Sequence, residues 1–347
     1  MRFLKRYFYQ KALQPIIQRA VQPIIMDAVG ELRRDLLPPI EVLERRLEAV
    51  QRDIRIGAEA AGAELSYRHL LGEIPVGDEL PPTPRRHSEL CRHKDFVIDA
   101  FRYWCGQIHQ QPFLHRKFWE FFYVAQALHE RGQLIGGKHG LGFAVGQEPL
   151  PALFASRGCE IVATDQDPAQ AEEAGWARTN EYSGGLDRLC RWEICQPDTF
   201  YKRVSFRFVD MNDIPEDLFN SFDFCWSICS LEHLGSLEAG MRFVENSLKT
   251  LKRGGIAVHT TEFNLSSNEE TVEKPEISIY RKRDIQELAR RLTLAGHDVE
   301  PLDFDTGGTL IDRHIDVPPY RQEPHLRLLI DGYSCTSFGL IVTRGAN

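Results

Sequence analysis

The stretch "GLGFAVGQEPLP", residues 140–151, decides the fold. Its glycines, Gly140, Gly142 and Gly146, fit G-x-G-x-x-x-G, a dinucleotide-type loop; alternatively, Leu141 to Val145 is a short strand with Gly146 alone at the turn. A dinucleotide loop has to follow a strand and open a helix. Upstream, "GQLIGGKH" is interrupted by glycines, and only Leu134 and Ile135 are apolar together. That is a poor buried strand, so Leu141–Val145 is the strand and Gly146 the turn glycine. The full glycine fingerprint is absent. Gly146 lets the backbone pass close to a ligand. Glu148 stands where a tighter phosphate loop needs a second glycine. A carboxylate there repels pyrophosphate and suits a ligand carrying a positive amino group.

Working outward, strand and helix alternate. "PLPALFASRG" reads as a helix stopped at Gly158, and "EIVATD", "RVSFRFVDM" and "SFDFCWSICS" read as strands. "GSLEAGMRFVENSLKTLKRGG" is a helix, "IAVHTTE" a strand and "RKRDIQELARRLTLAG" a helix. Such alternation predicts an α/β fold, a parallel sheet with helices on both faces. The tail, "HLRLLIDGYSCTSFGLIVTR", is two apolar runs around Asp331-Gly332, which predicts an antiparallel hairpin. About twenty residues after the loop, Asp165 ends the next strand, where a carboxylate accepts both hydroxyls of a ribose. Asp210, in "FVDMND", ends the third strand beside Met211, a pair suited to an adenine amino group and ring.

The remaining chain of 347 residues is organised around this core. Residues 1–57 read as a helical arm: Ile25, Val29, Leu32, Leu36, Ile40, Leu43, Leu47, Val50 and Ile54 form one narrow apolar seam, broken at Pro38-Pro39. A seam of this kind predicts coiled-coil self-association into a homo-oligomer, with packing on the same chain's main domain as the alternative. The basic, aromatic start, "MRFLKRYFYQ", reads as the first helix of that arm or as a hold on an anionic membrane surface. Residues 58–95 read as linker, and 96–132 as a helical, aromatic lead-in covering the active site, stopped at Gly132. Residues 133–347 form the main domain. No apolar stretch is long enough to span a bilayer, and the start lacks a secretory core, so a cytoplasmic protein is expected, peripheral at the inner membrane if the arm binds lipid. The formal charge of −8 gives no general pull toward nucleic acid. The eight cysteines include no C-x-x-C and read as reduced thiols.

"GLGFAVGQEPLPALFASRGCEIVATD", "FRFVDMNDIP", "FDFCWSICSLEHLGS" and "LKTLKRGGIAVHTTEFN" resemble, in order and spacing, the class I S-adenosylmethionine-dependent methyltransferases. The resemblance covers roughly residues 135–345. It implies a seven-stranded Rossmann-like sheet whose last two strands form an antiparallel hairpin, and S-adenosyl-L-methionine as cofactor. It also implies that Gly146 and Glu148 lie along the methionine part, Asp165 with its neighbour Gln166 at the ribose, Asp210 and Met211 at the adenine, and Ser230 near the methyl donor. The lead-in "HRKFWEFFYVAQAL" resembles a narrower bacterial branch associated with surface-glycan synthesis, which implies a glycan or sugar acceptor. The chain departs from the family at the first loop, where G-x-G-x-G reads G-Q-E-P-L.

Methyl transfer from a sulfonium is an in-line displacement, and a hydroxyl acceptor needs a general base or a metal. Glu232 and His233 follow the fourth strand, Glu262 and Asn264 the fifth, and Asp312, His314 and Asp316 stand in a late loop. His233, Glu262, Glu232, His314 and Asp316 are therefore the catalytic candidates, and Glu232, Glu262 and Asp316 together would hold one Mg2+ ion. Arg116, Lys117, Trp119 and Glu120 are candidates to roof the pocket, with Trp119 assigned to helix packing. The expectation is an O-methyltransferase acting on a sugar hydroxyl of a bacterial glycan or its precursor. The rivals are methylation of a small molecule or protein, a non-catalytic scaffold with a decayed cofactor loop, and a nicotinamide enzyme.

Overall fold

The computed structural model describes residues 79–173, 175, 181–321 and 323–346, with 23, 24, 26 and 27 of the N-terminal segment. The chain divides into two units, 1–61 and 62–347. The seam, the proline break and the aromatic start assigned to the arm lie outside the described residues.

In the second unit the elements run β1 (Ser88–Leu90), α1 (His93–Phe96), α2 (Asp99–Gln107), α3 (Arg116–Glu130), β2 (His139–Phe143), α4 (Leu150–Ser156), β3 (Glu160–Asp165), α5 (Pro168–Glu173), α6 (Pro197–Arg203), β4 (Val204–Phe208), β5 (Phe222–Ile228), α7 (Leu237–Thr250) and β6 (Leu251–Asn264). They continue with β7 (Glu273–Lys274), β8 (Ile277–Ser278), α8 (Lys282–Leu294), β9 (Asp298–Val299), β10 (Leu302–Asp303), α9 (Leu310–Arg313), β11 (Leu328–Ile330) and β12 (Tyr333–Thr343). The sheet order is β10-β1-β12-β6-β5-β2-β3-β4, with β9 and β11 also paired to β12. From β4 to β6 every pairing is parallel, and β12 enters antiparallel.

The sheet has ten strands, not the expected seven. The seven strands read from the sequence are β2, β3, β4, β5, β6, β11 and β12; the additions are β1, β9 and β10, the last two of two residues each and separated by Glu300-Pro301, where proline has no N–H to carry the ladder on. Into this gap comes β1, which pairs parallel with β10 and antiparallel with β12, while Ser88 N–H donates to the Pro301 carbonyl over 3.1 Å. The linker read over 58–95 thus ends in a buried strand too short to show a period. At the tail, β11 and β12 form the hairpin, and Asp331 and Gly332, at φ +47° and +87°, make its tight turn.

Gly140 and Gly142 lie inside β2, opposite Phe224 and Trp226 of β5. A Cβ on Gly140 would lie 2.4 Å from the Phe224 ring, and one on Gly142 would lie 2.5 Å from Trp226. These glycines make room for rings; they do not cradle a phosphate. Phe224 and Trp226 pack with Phe154 of α4 on one face of the sheet, while Leu141, Phe143 and Cys225 join Phe243 of α7 on the other. The lead-in helix α3 packs on the first of these faces. Its Tyr123 sits against Gly339 of β12, where a Cβ would come within 2.2 Å of the ring. His115 caps α3, its side chain accepting from Lys117 N–H, and Gly132 at φ +66° ends it.

Gly142→Ala should destabilise the fold by about 1–3 kcal/mol, because the indole of Trp226 has no room to retreat. Gly136→Ala, where an added Cβ meets nothing within 4 Å, should be close to neutral. Urea unfolding of the two variants checks the contrast; equal midpoints would refute the assignment of Gly142 to ring packing.

Candidate active site

A cavity of about 340 Å3 opens at the C-terminal ends of the parallel strands, where open α/β sheets place ligands. The loop after β2 contributes Ala144–Glu148, the end of β3 gives Asp165 and Gln166, and the exit of β4 gives Val209–Asn212. Glu181 and Tyr182 form one side. Ile228, Cys229, Ser230, His233 and Leu234 follow β5, and Lys117 and Phe121 come down from α3. Gly146, Glu148, Asp165, Gln166, Asp210, Met211, Ser230 and His233 are therefore brought round one space.

The β2 loop turns through left-handed backbone at Ala144, φ +46°, and Gly146, φ +51°. A Cβ on Gly146 would lie 2.0 Å from the Glu181 carbonyl oxygen, so only glycine passes under that segment. Glu148 is buried, and its Oε1 accepts from the Trp226 indole N–H over 2.5 Å. Burial pushes its carboxyl up to about 8, against the opposing pull of Trp226 and Lys117. The standing negative charge expected of Glu148 is thus muted near neutrality and returns only beside a cation.

Asp165 is held from its own chain. Its Oδ1 accepts from Gln166 N–H (2.9 Å), and its Oδ2 accepts from Ser183 N–H (3.1 Å) and the Ser183 hydroxyl (2.9 Å). Burial raises its pKa, opposed by these same donors. Asp210 Oδ1 accepts from Asn212 N–H over 2.8 Å, closing a turn that presents Met211, itself only 6% exposed, to the cavity.

Beyond Cys229 lies a charged cluster. Arg116 of α3 pairs with Glu262 through one guanidinium nitrogen; the other lies 3.2 Å from Glu120 and 3.4 Å from the Cys229 sulfur. Glu120 also takes hydrogen bonds from Cys229 (2.9 Å) and Ser337 and pairs with Lys117 at 3.1 Å. Burial works against ionised Glu120, but Lys117 and Arg116 outweigh it and hold the carboxyl down at about 2. Glu262 goes the other way: burial dominates, Arg116 opposes it, Glu232 reinforces it, and the carboxyl stands at about 7. Thr261 donates to one oxygen of Glu232 over 3.1 Å. Glu232 Oε1, Glu262 Oε2 and Ser230 Oγ are buried with no hydrogen-bond partner.

Of the other catalytic candidates, only His233 is at the cavity. His233 lines the cavity, but its Nδ1 is 2.6 Å from the Glu276 carbonyl, which orients the ring as a structural prop. His314 ends α9 and does not line the cavity. Asp316 is buried in a pair with His325 (2.6 Å) and caps Arg321 N–H. The Mg2+ set of Glu232, Glu262 and Asp316 therefore does not assemble. Among the described residues Glu232 and Glu262 cluster with Cys229 instead, their ligand atoms within 4.8 Å of one another. Arg116, bonded to Glu262 and against the Cys229 sulfur, already supplies the positive charge there. Trp119 packs as expected, stacked on Tyr123 and donating to Asp95 over 2.9 Å. Sequence reasoning missed Cys229, Ser183 and Ser337. Cys229 had a signal, being adjacent to Ser230 at a strand exit; Ser183 and Ser337 are contacts of tertiary structure alone.

No protein-family model matches the chain, and no curated protein matches it. Among solved structures, it is similar to a sarcosine dimethylglycine methyltransferase from Galdieria sulphuraria at 12% identity, over 65% of this chain and 84% of that one, with a TM-score of 0.40. It is similar to magnesium protoporphyrin IX methyltransferase from Synechocystis PCC 6803 with bound S-adenosylhomocysteine at 13% identity, over 64% and 80%, with a TM-score of 0.37. A third, a cyclase, shares 16% identity over 65% and 83%, with a TM-score of 0.38. At this depth the comparisons say nothing of activity, and the site's own geometry carries the functional reading.

Glu148 gives a pH signature. Its folded carboxyl, at about 8, lies above the ordinary 4.5, so the fold binds its proton more tightly than the unfolded chain does. Stability contributed by that proton is full below 4.5 and is lost as pH rises toward 8. Glu148→Gln, which keeps an acceptor for Trp226, should be less destabilised than wild type over this rise. Unfolding midpoints measured across the range check it; parallel curves would overturn the buried, protonated state.

Proposed function

We propose that the chain is an S-adenosylmethionine-dependent O-methyltransferase acting on a sugar hydroxyl of a bacterial glycan or its precursor. The observation that carries the reading is that one cavity at the strand ends joins two acids at successive strand exits, a turn glycine and a buried carboxyl. The residues fit the cofactor. Asp165 has lone pairs for a ribose diol beyond those Ser183 occupies. Asp210 and Met211 suit an adenine, and Glu148 ionises where an ammonium group would come to rest. The unpartnered Ser230 Oγ supports a polar ligand on the far wall. When bound, S-adenosylmethionine supplies an electrophilic methyl group on a sulfonium. The chain's own work is to align the acceptor, exclude water and receive its proton. The sugar acceptor rests on the resemblance of the lead-in, whose Lys117 and Phe121 reach the cavity.

A scaffold reading has one observation in its favour: Glu148 and Asp165 are already bonded within the chain. Calorimetric titration separates the two. S-adenosylmethionine and S-adenosylhomocysteine should bind saturably and NAD should not. Asp165→Ala should weaken both by about tenfold to a hundredfold, the loss expected for hydrogen bonds to a charged group. No binding of any of the three would leave the scaffold reading.

The cytoplasmic location and the oligomer through residues 1–57 belong to the same proposal, with a membrane surface as the arm's other partner. Deleting residues 1–57 should lower the solution mass measured by light scattering; an unchanged mass would remove the arm as the oligomerisation element.

A further inference from the structure

We propose that Glu262 is the general base that takes the acceptor's hydroxyl proton, with Arg116 and Glu232 as its positioning residues; this rests on the methyl-transfer reading above. The geometry separates the two oxygens of Glu262. Oε1 is tied to Arg116, which fixes the carboxylate in place, while Oε2 is buried with no partner. Glu232 repeats the arrangement, with Oε2 on Thr261 and Oε1 unpartnered. Both carboxylates come within 4.8 Å of the sulfur of Cys229, a residue that lines the cavity; they stand behind it, and Ser230, which also lines the cavity, has an unpartnered Oγ. A buried acceptor without a donor is costly. An acceptor hydroxyl that enters past Cys229 supplies the missing donor.

The charges facing Glu262 set its readiness. From α3 come Arg116, Lys117 and Glu120; from the β5 exit, Cys229 and Glu232; from β12, Cys335; and from the late loop, Tyr320. Three carboxylates, Glu120, Glu232 and Glu262, face two fixed cations, Arg116 and Lys117. The excess negative charge is the one a proton neutralises, and Glu262 titrates at about 7, where a base is most effective at neutral pH. As the acceptor oxygen bonds to the methyl carbon and the sulfur–methyl bond breaks to leave a thioether, the O–H proton passes to Glu262 Oε2. The resulting carboxylic acid then releases that proton to solvent.

The test uses the full chain and needs no acceptor. S-adenosylmethionine carries a positive sulfur and S-adenosylhomocysteine does not, so their affinity ratio reads any carboxylate that ionises beside the methyl donor. Calorimetry between about pH 6 and about pH 8 should show the ratio moving in favour of S-adenosylmethionine by about threefold to tenfold. Glu262→Gln should lose that rise. Glu232→Gln removes the like charge and should move the inflection to lower pH, which keeps the test open if Glu262→Gln fails to fold. The same pH dependence in wild type and Glu262→Gln, or an unmoved inflection in Glu232→Gln, overturns the proposal while leaving the cofactor reading standing. No binding of either ligand overturns both.

Discussion

The indole of Trp226 is the contact on which the rest of the site depends. It fills the space that Gly142 leaves on β2, packs edge-on against Phe154 and stacks with Phe224. Its N–H then reaches the carboxyl of Glu148, tying the loop after β2 to the middle of the sheet. A loop built on the usual run of glycines holds its shape through close backbone approach. This one holds it through a side chain anchored in the core. The same ring therefore explains why the strand has glycines, why the loop lacks one, and why the acid that replaces it is buried.

A second set of contacts sets the far wall. Arg116 enters from α3, an element ahead of the sheet in sequence, and binds acids from the helix itself and from β6. It also touches Ser337 of β12 over 3.1 Å. The lead-in is thus more than a cover, since it supplies the cations that keep Glu120 ionised and leave Glu262 poised near neutrality. Its seat on the sheet depends on Gly339, where Tyr123 lies flush against β12.

The parallel core was legible where a strand is an apolar run bounded by glycine or an acid: "EIVATD" and "SFDFCWSICS" mark β3 and β5 directly. The Asp-Gly turn announced the hairpin through its left-handed preference. What stayed hidden was short or non-local. β1, of three residues, and β9 and β10, of two each, are too short to show a period. In the site, residues at strand exits were readable because topology fixes where those exits lead. Asp316 was not, because a late loop has no such rule; only the fold shows that it serves His325.

The cavity is unequal in how it meets its own needs. At the exits of β2, β3 and β4, Glu148, Asp165 and Asp210 each have partners from the chain, so a ligand there exchanges bonds already made and gains modestly from each. Past the end of β5, Ser230 on the cavity wall and Glu232 and Glu262 behind Cys229 keep oxygens without donors, at a cost to the fold. On the proposed reading, binding free energy is therefore weighted toward the β5 side. That is where differential stabilisation of the transition state has to be found if the site is catalytic, and where a proton has somewhere to go.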